Sequence, residues 1–281
     1  MRSFPFLLPA LLLGLAACDK VDEPYEDGSS VGPGEGAVRK VLLEDLTGHR
    51  CSTCPPAAEQ IQQLAPLYGD RLVVVGIHTL DIFAAPAAAP FQTDYRTASG
   101  NTYRTSLGIT YIPVGMVDRT PFNNQQLVEW GDWGGAIGEA LAQEPEVSIT
   151  IDELAYDATS RLLTAEITVV PLTPLTGDRN LTVYLTEDHL ISAQLDARLP
   201  APSIVQEYEH RHVLRDTPLG PWGEPIVVGS AAAGDTIRQS VSRTLPPEIT
   251  VLDPANCALV AYTYRTDSRA VTQVEERKFQ P

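Results

Sequence analysis

Two cysteines separated by two residues stand between a predicted strand and a predicted helix, and they constrain the fold of the N-terminal half more than any other feature. Cys51 and Cys54 follow the apolar run at residues 41–46 and precede Pro55 and Pro56. Proline fits the first position of a helix, where its missing N–H costs nothing. The N-terminus of a helix favours negative charge, which lowers the pKa of a cysteine placed there. The pair therefore predicts a dithiol/disulfide redox site.

The C-x-x-C motif also permits two other interpretations. It is half of a structural zinc site, but a site with four thiolate ligands needs a second pair, and the other cysteines of the chain are Cys18 and Cys257. It is also compatible with a permanently closed disulfide that only pins the loop, as is common in oxidising compartments. We expect no bound metal and no other cofactor.

The first residues of the chain have the features of an export signal. Arg2 supplies a positive charge, residues 4–15 are apolar, and residues 15–18 read Leu-Ala-Ala-Cys. This segment resembles a bacterial lipoprotein signal, which implies removal of residues 1–17 and a lipid on Cys18. An ordinary secretory signal that happens to contain a cysteine is the alternative. The apolar run is too short to cross a bilayer, so we expect the lipid on Cys18 to hold the protein to the membrane, most simply the outer membrane.

Residues 18–36 predict a flexible acidic tether, since they combine glycine, serine and acidic residues without apolar periodicity. The whole chain has 36 acidic and 20 basic residues, a net charge of −16. It contains no cluster of lysine and arginine, which argues against binding to nucleic acid. About 245 residues follow the tether, enough for two domains of ordinary size.

Alternating elements predict an α/β domain at residues 37–143. A strand at 41–46, a helix at 57–68 and a continuous apolar strand at 71–78 form a βαβ unit, whose two strands should be parallel. A helix at 92–106, a strand within 108–118 and a helix at 124–142 should follow.

This order of elements resembles the thioredoxin fold, in which a proline loop faces the dithiol. The resemblance implies that Cys51 is the exposed attacking thiol and Cys54 the buried resolving thiol. It also implies that Pro113 is a cis-proline and that Ile112 offers its backbone to a substrate peptide. One departure is that Arg50 stands where thioredoxin has an aromatic residue before the first cysteine.

A closer resemblance covers nearly the whole mature chain, at residues 41–55, 108–119, 210–215 and 221–224. These segments resemble an outer membrane protein family named for its twenty-eight kilodalton founder. Its members are cell-envelope lipoproteins that join a thioredoxin-like domain to an immunoglobulin-like domain. The resemblance implies the architecture of the chain more sharply than it implies a reaction.

The pattern of the C-terminal half, residues 144–281, is typical of an all-β domain. Apolar and polar residues alternate at 146–151, 163–169 and 181–186, and further strands are expected at 236–245, 257–265 and 270–279. Such strands, separated by polar turns, predict an antiparallel sandwich of the immunoglobulin type. We expect residues 192–234 to form a long irregular insertion.

Four further side chains are candidates for chemistry. His210 and His212 are two residues apart, so they share one face if they lie on a strand, and together with His189 they could ligate a metal. No carboxylate is placed by spacing to complete such a site. Cys257 lies in an apolar run and is expected to be a buried, inert thiol.

Two classes of function remain open on the sequence alone. In the first, the protein is a thiol–disulfide oxidoreductase of envelope proteins, with Cys51 attacking a substrate disulfide and Cys54 resolving the mixed disulfide. In the second, the disulfide is structural and the protein is a surface binding or adhesion module for an unknown ligand. A positive charge from His49 or Arg50 near Cys51 favours the first class, whereas burial of both sulfurs favours the second.

Overall fold

A computed structural model of the chain describes Met1, residues 36–249 and residues 253–279. The predicted signal segment after Met1, Cys18 and nearly all of the tether lie outside the described residues. Those from 36 onward belong to a single unit that spans Gly32–Pro281. Within the described part, no helix is both long and apolar enough to cross a membrane.

The first half of the described chain mixes strands and helices. In chain order its elements are β1 (Val41–Thr47), α1 (Pro55–Tyr68), β2 (Leu72–His78), α2 (Asp81–Ala84), α3 (Ala98–Ser106), β3 (Val114–Val117) and α4 (Trp133–Leu141). β1 and β2 pair in parallel, as predicted, and β3 runs antiparallel along the other edge of β1. Both faces of β1 and β2 are covered, which explains their continuous apolar sequences.

Three of the predicted elements are longer than the observed ones. The helix expected at 92–106 begins only at Ala98, because the side chain of Thr97 accepts a hydrogen bond of 2.9 Å from Gly100 N and so caps the helix there. The strand expected within 108–118 is confined to β3. The helix expected at 124–142 is reduced to α4 and a 3₁₀ turn at Trp130–Asp132.

The second half of the described chain is built of strands. They are β4 (Val147–Asp157), β5 (Leu162–Pro171), β6 (Leu175–Thr176), β7 (Arg179–Glu187), β8 (Leu190–Leu195), β9 (Ile204–His210), β10 (Val213–Asp216), β11 (Glu224–Val227), β12 (Ser230–Ala231), β13 (Ile237–Thr244), β14 (Cys257–Arg265) and β15 (Val271–Lys278). The expectation of an irregular insertion at 192–234 is wrong, because that stretch contains most of β8 and all of β9 to β12. The protein is therefore rich in β-structure and has several sheets.

Two antiparallel layers enclose an apolar core in this half. The sheet β13-β5-β4 presents Ile149, Ile167 and Val241 to one side of this core, and β7 and β14 present Val183 and Leu259 to the other. Buried and exposed residues alternate along β4 and β5, as they do on strands with one solvated face.

One large sheet contains strands from both halves of the chain. Its order is β15-β14-β7-β10-β2-β1-β3, and β11 pairs with β7 as well. β10 makes the connection, because Val213 pairs in parallel with Gly76 of β2 while β10 also runs antiparallel to β7. The segments on either side of the boundary predicted at residue 143 thus share a sheet.

A buried ion pair of the first half is hydrogen-bonded to two tyrosines of the second half. Arg119, fully buried after β3, donates hydrogen bonds of 2.8 and 2.7 Å to the two carboxylate oxygens of Glu44 in β1. The same guanidinium donates to the hydroxyls of Tyr184 in β7 and Tyr262 in β14. Removing one partner of such a pair would leave a charge buried without compensation, which costs about 3–5 kcal/mol.

Candidate functional site: the disulfide loop and its cavity

Cys51 and Cys54 form a disulfide in the loop between β1 and α1, with their Cα atoms 5.4 Å apart. The carbonyl oxygen of Cys54 accepts hydrogen bonds from Ala57 N (3.0 Å) and Ala58 N (3.2 Å), so the second cysteine sits at the start of the helix. Pro55 and Pro56 occupy the first helical positions, as expected from their fixed φ and missing N–H.

Both cysteines of the disulfide are buried. Cys51 is 1% exposed and Cys54 is 3% exposed. The expectation that Cys51 is the exposed thiol is therefore wrong for this structure. It fails because a segment far along the chain, within the stretch predicted to be irregular, lies over the loop.

The covering segment is the β8–β9 hairpin, residues 190–210, in which the two strands pair antiparallel. The amide of Leu195 donates to the carbonyl of His49 (3.0 Å), and the amide of Ala197 donates to that of Ser52 (2.9 Å). Between them, the side-chain amide of Gln194 donates to the carbonyl of Cys51 (2.8 Å). The end of β8 thus lies along the disulfide loop and bonds to the backbone of three of its residues.

Another close contact fixes the loop on a different side. A Cβ atom on Gly48 would lie 2.6 Å from the carbonyl oxygen of Phe83, so only glycine fits there. The same oxygen accepts a hydrogen bond of 2.8 Å from the amide of Arg50. The Arg50 guanidinium donates to the carbonyl of Ala85.

The proline loop lies next to the end of β1. Val114 pairs with Leu46, which places Pro113 beside the point where the disulfide loop leaves the sheet. The Ile112–Pro113 peptide bond is cis. Ile112 belongs to the same apolar cluster as Cys51 and Cys54. The structure therefore brings the four sequence-predicted residues of this site into one region.

A cavity of about 410 Å³ opens on the Cys54 side of the loop. Its lining comes from helix α1, from β1 and β2, and from the end of β9 with its connection to β10. Its lining includes Cys54 together with the polar side chains of Asp45, His78, Gln194 and His210. The cavity is within the size range of ligand sites in proteins.

Asp45 is the most unusual of these lining residues. It is buried in the middle of β1, and its Oδ1 atom has no hydrogen-bond partner. Burial raises the pKa of Asp45 from 3.8 to about 7, because the charged carboxylate loses its hydration. Asp45, whose carboxyl pKa lies near neutral pH, therefore lines the same cavity as Cys54.

Three buried histidines surround the ring of Tyr95 beside the loop. The Tyr95 ring centroid lies 6.1 Å from that of His49, 4.9 Å from that of His78 and 5.0 Å from that of His210. Burial is the main cause that lowers their pKa values, to about 4 for His49 and about 3 for His210, with His78 well below its usual value. All three are neutral at pH 7, so His49 adds no positive charge near Cys51.

The histidines proposed from spacing as metal ligands do not come together. His210 faces His78, whereas His212 lies 3.4 Å from Asp188 and His189 pairs with Glu209. Among the described residues, no group of three or more histidine, cysteine or acidic side chains is arranged to hold a metal ion.

Cys257 is a buried free thiol, 2% exposed at the start of β14. Burial raises its pKa well above the usual value, so the thiolate is disfavoured. The prediction of a buried thiol is confirmed.

Sequence reasoning missed Asp45, His78 and Gln194. Asp45 had a usable signal, since an acidic residue inside an apolar strand that is covered on both faces must lie in the interior. His78 is the last residue of β2, another strand covered on both faces, so its position gave a weaker indication that it lies in the interior. Gln194 had none, because nothing in the sequence shows that its segment folds over the disulfide loop.

With this fold and site in view, the sequence model of one family, "Outer membrane protein Omp28", matches residues 100–281. This match covers more than half of the chain, so the chain belongs to the Omp28 outer membrane protein family. The resemblance inferred from the short motifs is thereby confirmed, and so is the expected location in the cell envelope at the outer membrane. No curated protein matches the chain.

Two of the solved structures share the fold at low sequence identity. HBP35 of Porphyromonas gingivalis is 14% identical with a TM-score of 0.64, over 87% of this chain and 76% of that one. A structural-genomics target from Agrobacterium tumefaciens is 14% identical with a TM-score of 0.51, over 87% and 96% of the two chains. A domain of the outer membrane lipoprotein Omp28 from Porphyromonas gingivalis is 18% identical over 50% of this chain and 92% of that one, with a TM-score of 0.32.

Proposed function

We propose that the protein is a lipid-anchored envelope lipoprotein that carries out thiol–disulfide exchange at Cys51 and Cys54. In this proposal, residues 37–143 form a thioredoxin-like domain and residues 144–281 an immunoglobulin-like sandwich, with the lipid on Cys18. Support for the first domain comes from the order of elements and from the position of Ile112 and Pro113 beside the loop. Its substrates are thiols and disulfides of the envelope.

The observation that carries the proposal is the buried Asp45, whose Oδ1 atom has no hydrogen-bond partner and which lines the same cavity as Cys54. Leaving a buried polar group without a partner costs about 1–3 kcal/mol. A disulfide that is never reduced exchanges no proton, so it gives no reason for a buried carboxyl beside it. A pair that is reduced and reoxidised does give a reason, because the buried sulfur must gain and lose a proton away from water.

The exchange then proceeds in balanced steps. A reductant thiolate attacks one sulfur of the disulfide, forms a mixed disulfide with it, and the other sulfur leaves as a thiolate. A second thiolate attacks the mixed disulfide and releases the remaining sulfur. When Cys54 is released, the Asp45 carboxyl gives it a proton and becomes a carboxylate; oxidation reverses these transfers.

The proposal is tested through the pH dependence of reduction in wild type and in Asp45→Asn. Dithiothreitol reduces both proteins, and its own ionisation affects both rates equally. We expect the ratio of the two rates to change with a midpoint near pH 7, because only the wild type titrates there. His78 and His210 stay neutral across this range.

Asp70→Asn, at an exposed position between α1 and β2, is the matched control. Its rate ratio to wild type should be independent of pH. A ratio for Asp45→Asn that is equally independent of pH would remove Asp45 from the exchange and with it the main support for the proposal.

Burial of both cysteines favours a second candidate, a surface binding module whose disulfide is structural. In that case the hairpin is a permanent cover, and ligand binding belongs to another surface. The two candidates differ in the reduction potential of the pair, since structural disulfides of exported proteins typically lie below about −300 mV.

A further inference from the structure

The β8–β9 hairpin is attached to the rest of the protein differently from the other strands around the disulfide loop. Among the described strands, β8 and β9 pair only with each other, in a sheet of two strands. In contrast, β1, which leads into the loop, pairs with both β2 and β3. A two-stranded hairpin is at best marginally stable by itself, so the hairpin depends on the surface against which it docks.

The disulfide loop supplies much of that surface. The backbone amides of Leu195 and Ala197 donate to two carbonyls of the loop, and the Gln194 side chain donates to a third, that of Cys51, at 2.8 Å. All three acceptors lie within residues 49–52, beside or between the two cysteines. Gln194 is 3% exposed, so its amide relies on carbonyls of the protein and not on water.

The other anchors of the hairpin are weaker or lie near its base. At the base, Leu190 packs in a cluster with Tyr95, whose hydroxyl donates to that of Ser192 (3.0 Å). Farther out, Arg198 forms an ion pair with Glu59 of α1, in which both side chains are about half exposed. Such exposed pairs contribute about 0–1 kcal/mol. The polar contacts that hold the distal end, residues 194–203, are therefore chiefly those to the disulfide loop.

Reduction changes the space that this loop needs. Two bonded sulfurs lie about 2 Å apart, whereas heavy atoms in non-bonded contact need about 3.5–4 Å. Cys51 and Cys54 pack in an apolar cluster, and the contact between Gly48 and the Phe83 backbone leaves no room on that side of the loop. The first turn of α1 binds the Cys54 carbonyl, but residues 49–53 form turns outside β1 and α1. These turns, which the hairpin covers, must therefore take up the change.

We propose that reduction of the disulfide releases the distal end of the hairpin, residues 194–203, so that docking of the hairpin depends on the redox state of the pair. A dithiol passes two electrons and two protons to the protein, the bond between Cys51 and Cys54 breaks, both become thiols, and the dithiol becomes a disulfide. The inference goes beyond the proposed exchange and adds a conformational response to it.

The two equilibria are linked in both directions. If the closed disulfide favours docking, docking favours the closed disulfide by the same factor. A variant that weakens docking should therefore make the disulfide easier to reduce. Gln194→Ala removes the buried hydrogen bond to Cys51 and should shift the equilibrium about fivefold toward the dithiol, which makes the reduction potential about 20 mV less negative.

Hydrogen exchange at the amides of Leu195 and Ala197 tests the release directly. It is measured by mass spectrometry of overlapping peptides, in oxidised and in dithiothreitol-reduced full-length protein. We expect exchange at these two amides to be at least about tenfold faster after reduction. A peptide from β5 should keep its rate, which separates release of the hairpin from unfolding. The double variant Cys51→Ala/Cys54→Ala, without any reductant, should behave like the reduced wild type.

Redox titrations supply the reciprocal measurement. The potential of Gln194→Ala is compared with those of wild type and of Gln63→Ala, which removes the same kind of side chain from an exposed position on α1, outside the hairpin. We expect Gln63→Ala to keep the wild-type potential.

The outcomes separate this inference from the proposed function. Equal protection of the two amides in oxidised and reduced protein overturns the inference, and so does a wild-type potential in folded Gln194→Ala. If the disulfide is reduced reversibly while exchange is unchanged, the inference fails and the proposed exchange stands. If no reductant opens the disulfide but the double variant loses protection at both amides, the link between disulfide and docking holds and the proposed exchange fails.

Discussion

The backbone amide of Leu195 lies 3.0 Å from the carbonyl oxygen of His49, and this hydrogen bond ties the β8–β9 hairpin to the loop that carries the disulfide. The two residues are far apart in the chain and belong to different predicted domains. A segment of the second half therefore covers the Cys51 side of the disulfide loop.

Weakening the hairpin should expose Cys51 to polypeptide partners. Gln194→Ala removes the side-chain hydrogen bonds to the carbonyls of Cys51 (2.8 Å) and Gly48 (3.4 Å). With about 1 kcal/mol for one good hydrogen bond, the open population should rise by about fivefold to tenfold. The rate of reduction by a reduced thioredoxin should rise by the same factor, whereas Gln63→Ala should not change it. An unchanged rate in folded Gln194→Ala would show that the hairpin does not limit access.

Acid should destabilise the fold through the histidines beneath the hairpin. The pKa of His210 is lowered from 6.5 in the unfolded state to about 3 in the folded state. Between pH 3 and pH 6.5, therefore, the unfolded state binds a proton on this residue and the folded state does not. Stability is therefore full above about pH 6.5 and falls as the pH drops, by about 2 kcal/mol at pH 5 for this residue. Urea unfolding at several pH values measures the slope.

His210→Phe should reduce that slope by about one proton, because it keeps an aromatic ring and removes the titration. His189→Phe is the control, since the His189 side chain is 53% exposed. Equal slopes in wild type and His210→Phe would contradict a neutral, buried His210.

The contact between Gly48 and Phe83 should be necessary for the shape of the loop. Gly48→Ala places a Cβ atom 2.6 Å from a backbone oxygen that cannot move independently. We expect the free energy of unfolding to fall by about 1–3 kcal/mol. Gly131→Ala, where no atom lies within 4 Å of the added Cβ, should be close to neutral. Thermal unfolding of both variants gives the comparison, and equal melting temperatures would argue against the observed loop geometry.

Local patterns predicted much of the fold. Continuous apolar runs identified β1 and β2 and their parallel pairing, and the proline pair after Cys54 marked the start of α1. Alternation identified β4, β5 and β7. The starts of α3 and α4 were misplaced because a side-chain cap and a 3₁₀ turn, and not hydrophobic periodicity, determine them.

The parts of the site that escaped prediction depend on contacts between distant segments. The C-x-x-C motif and Pro113 were visible locally, but the burial of Cys51 results from residues 194–197, whose sequence has no distinctive pattern. The cluster of His49, His78 and His210 likewise assembles from three separate segments. Spacing instead suggested that His210 and His212 could share a metal ion. Their side chains lie apart, because His212 has a positive φ and contacts Asp188.

A redox titration of the full-length, detergent-solubilised protein measures whether Cys51 and Cys54 interconvert between disulfide and dithiol. The protein is equilibrated in dithiothreitol buffers of defined potential, alkylated, and the reduced fraction of Cys51 and Cys54 is read by peptide mass spectrometry. We predict a reversible two-electron transition above about −300 mV, with tenfold changes in the ratio of reduced to oxidised protein about every 30 mV. A pair that stays oxidised well below about −300 mV in the folded protein would contradict it and leave the disulfide a structural bond.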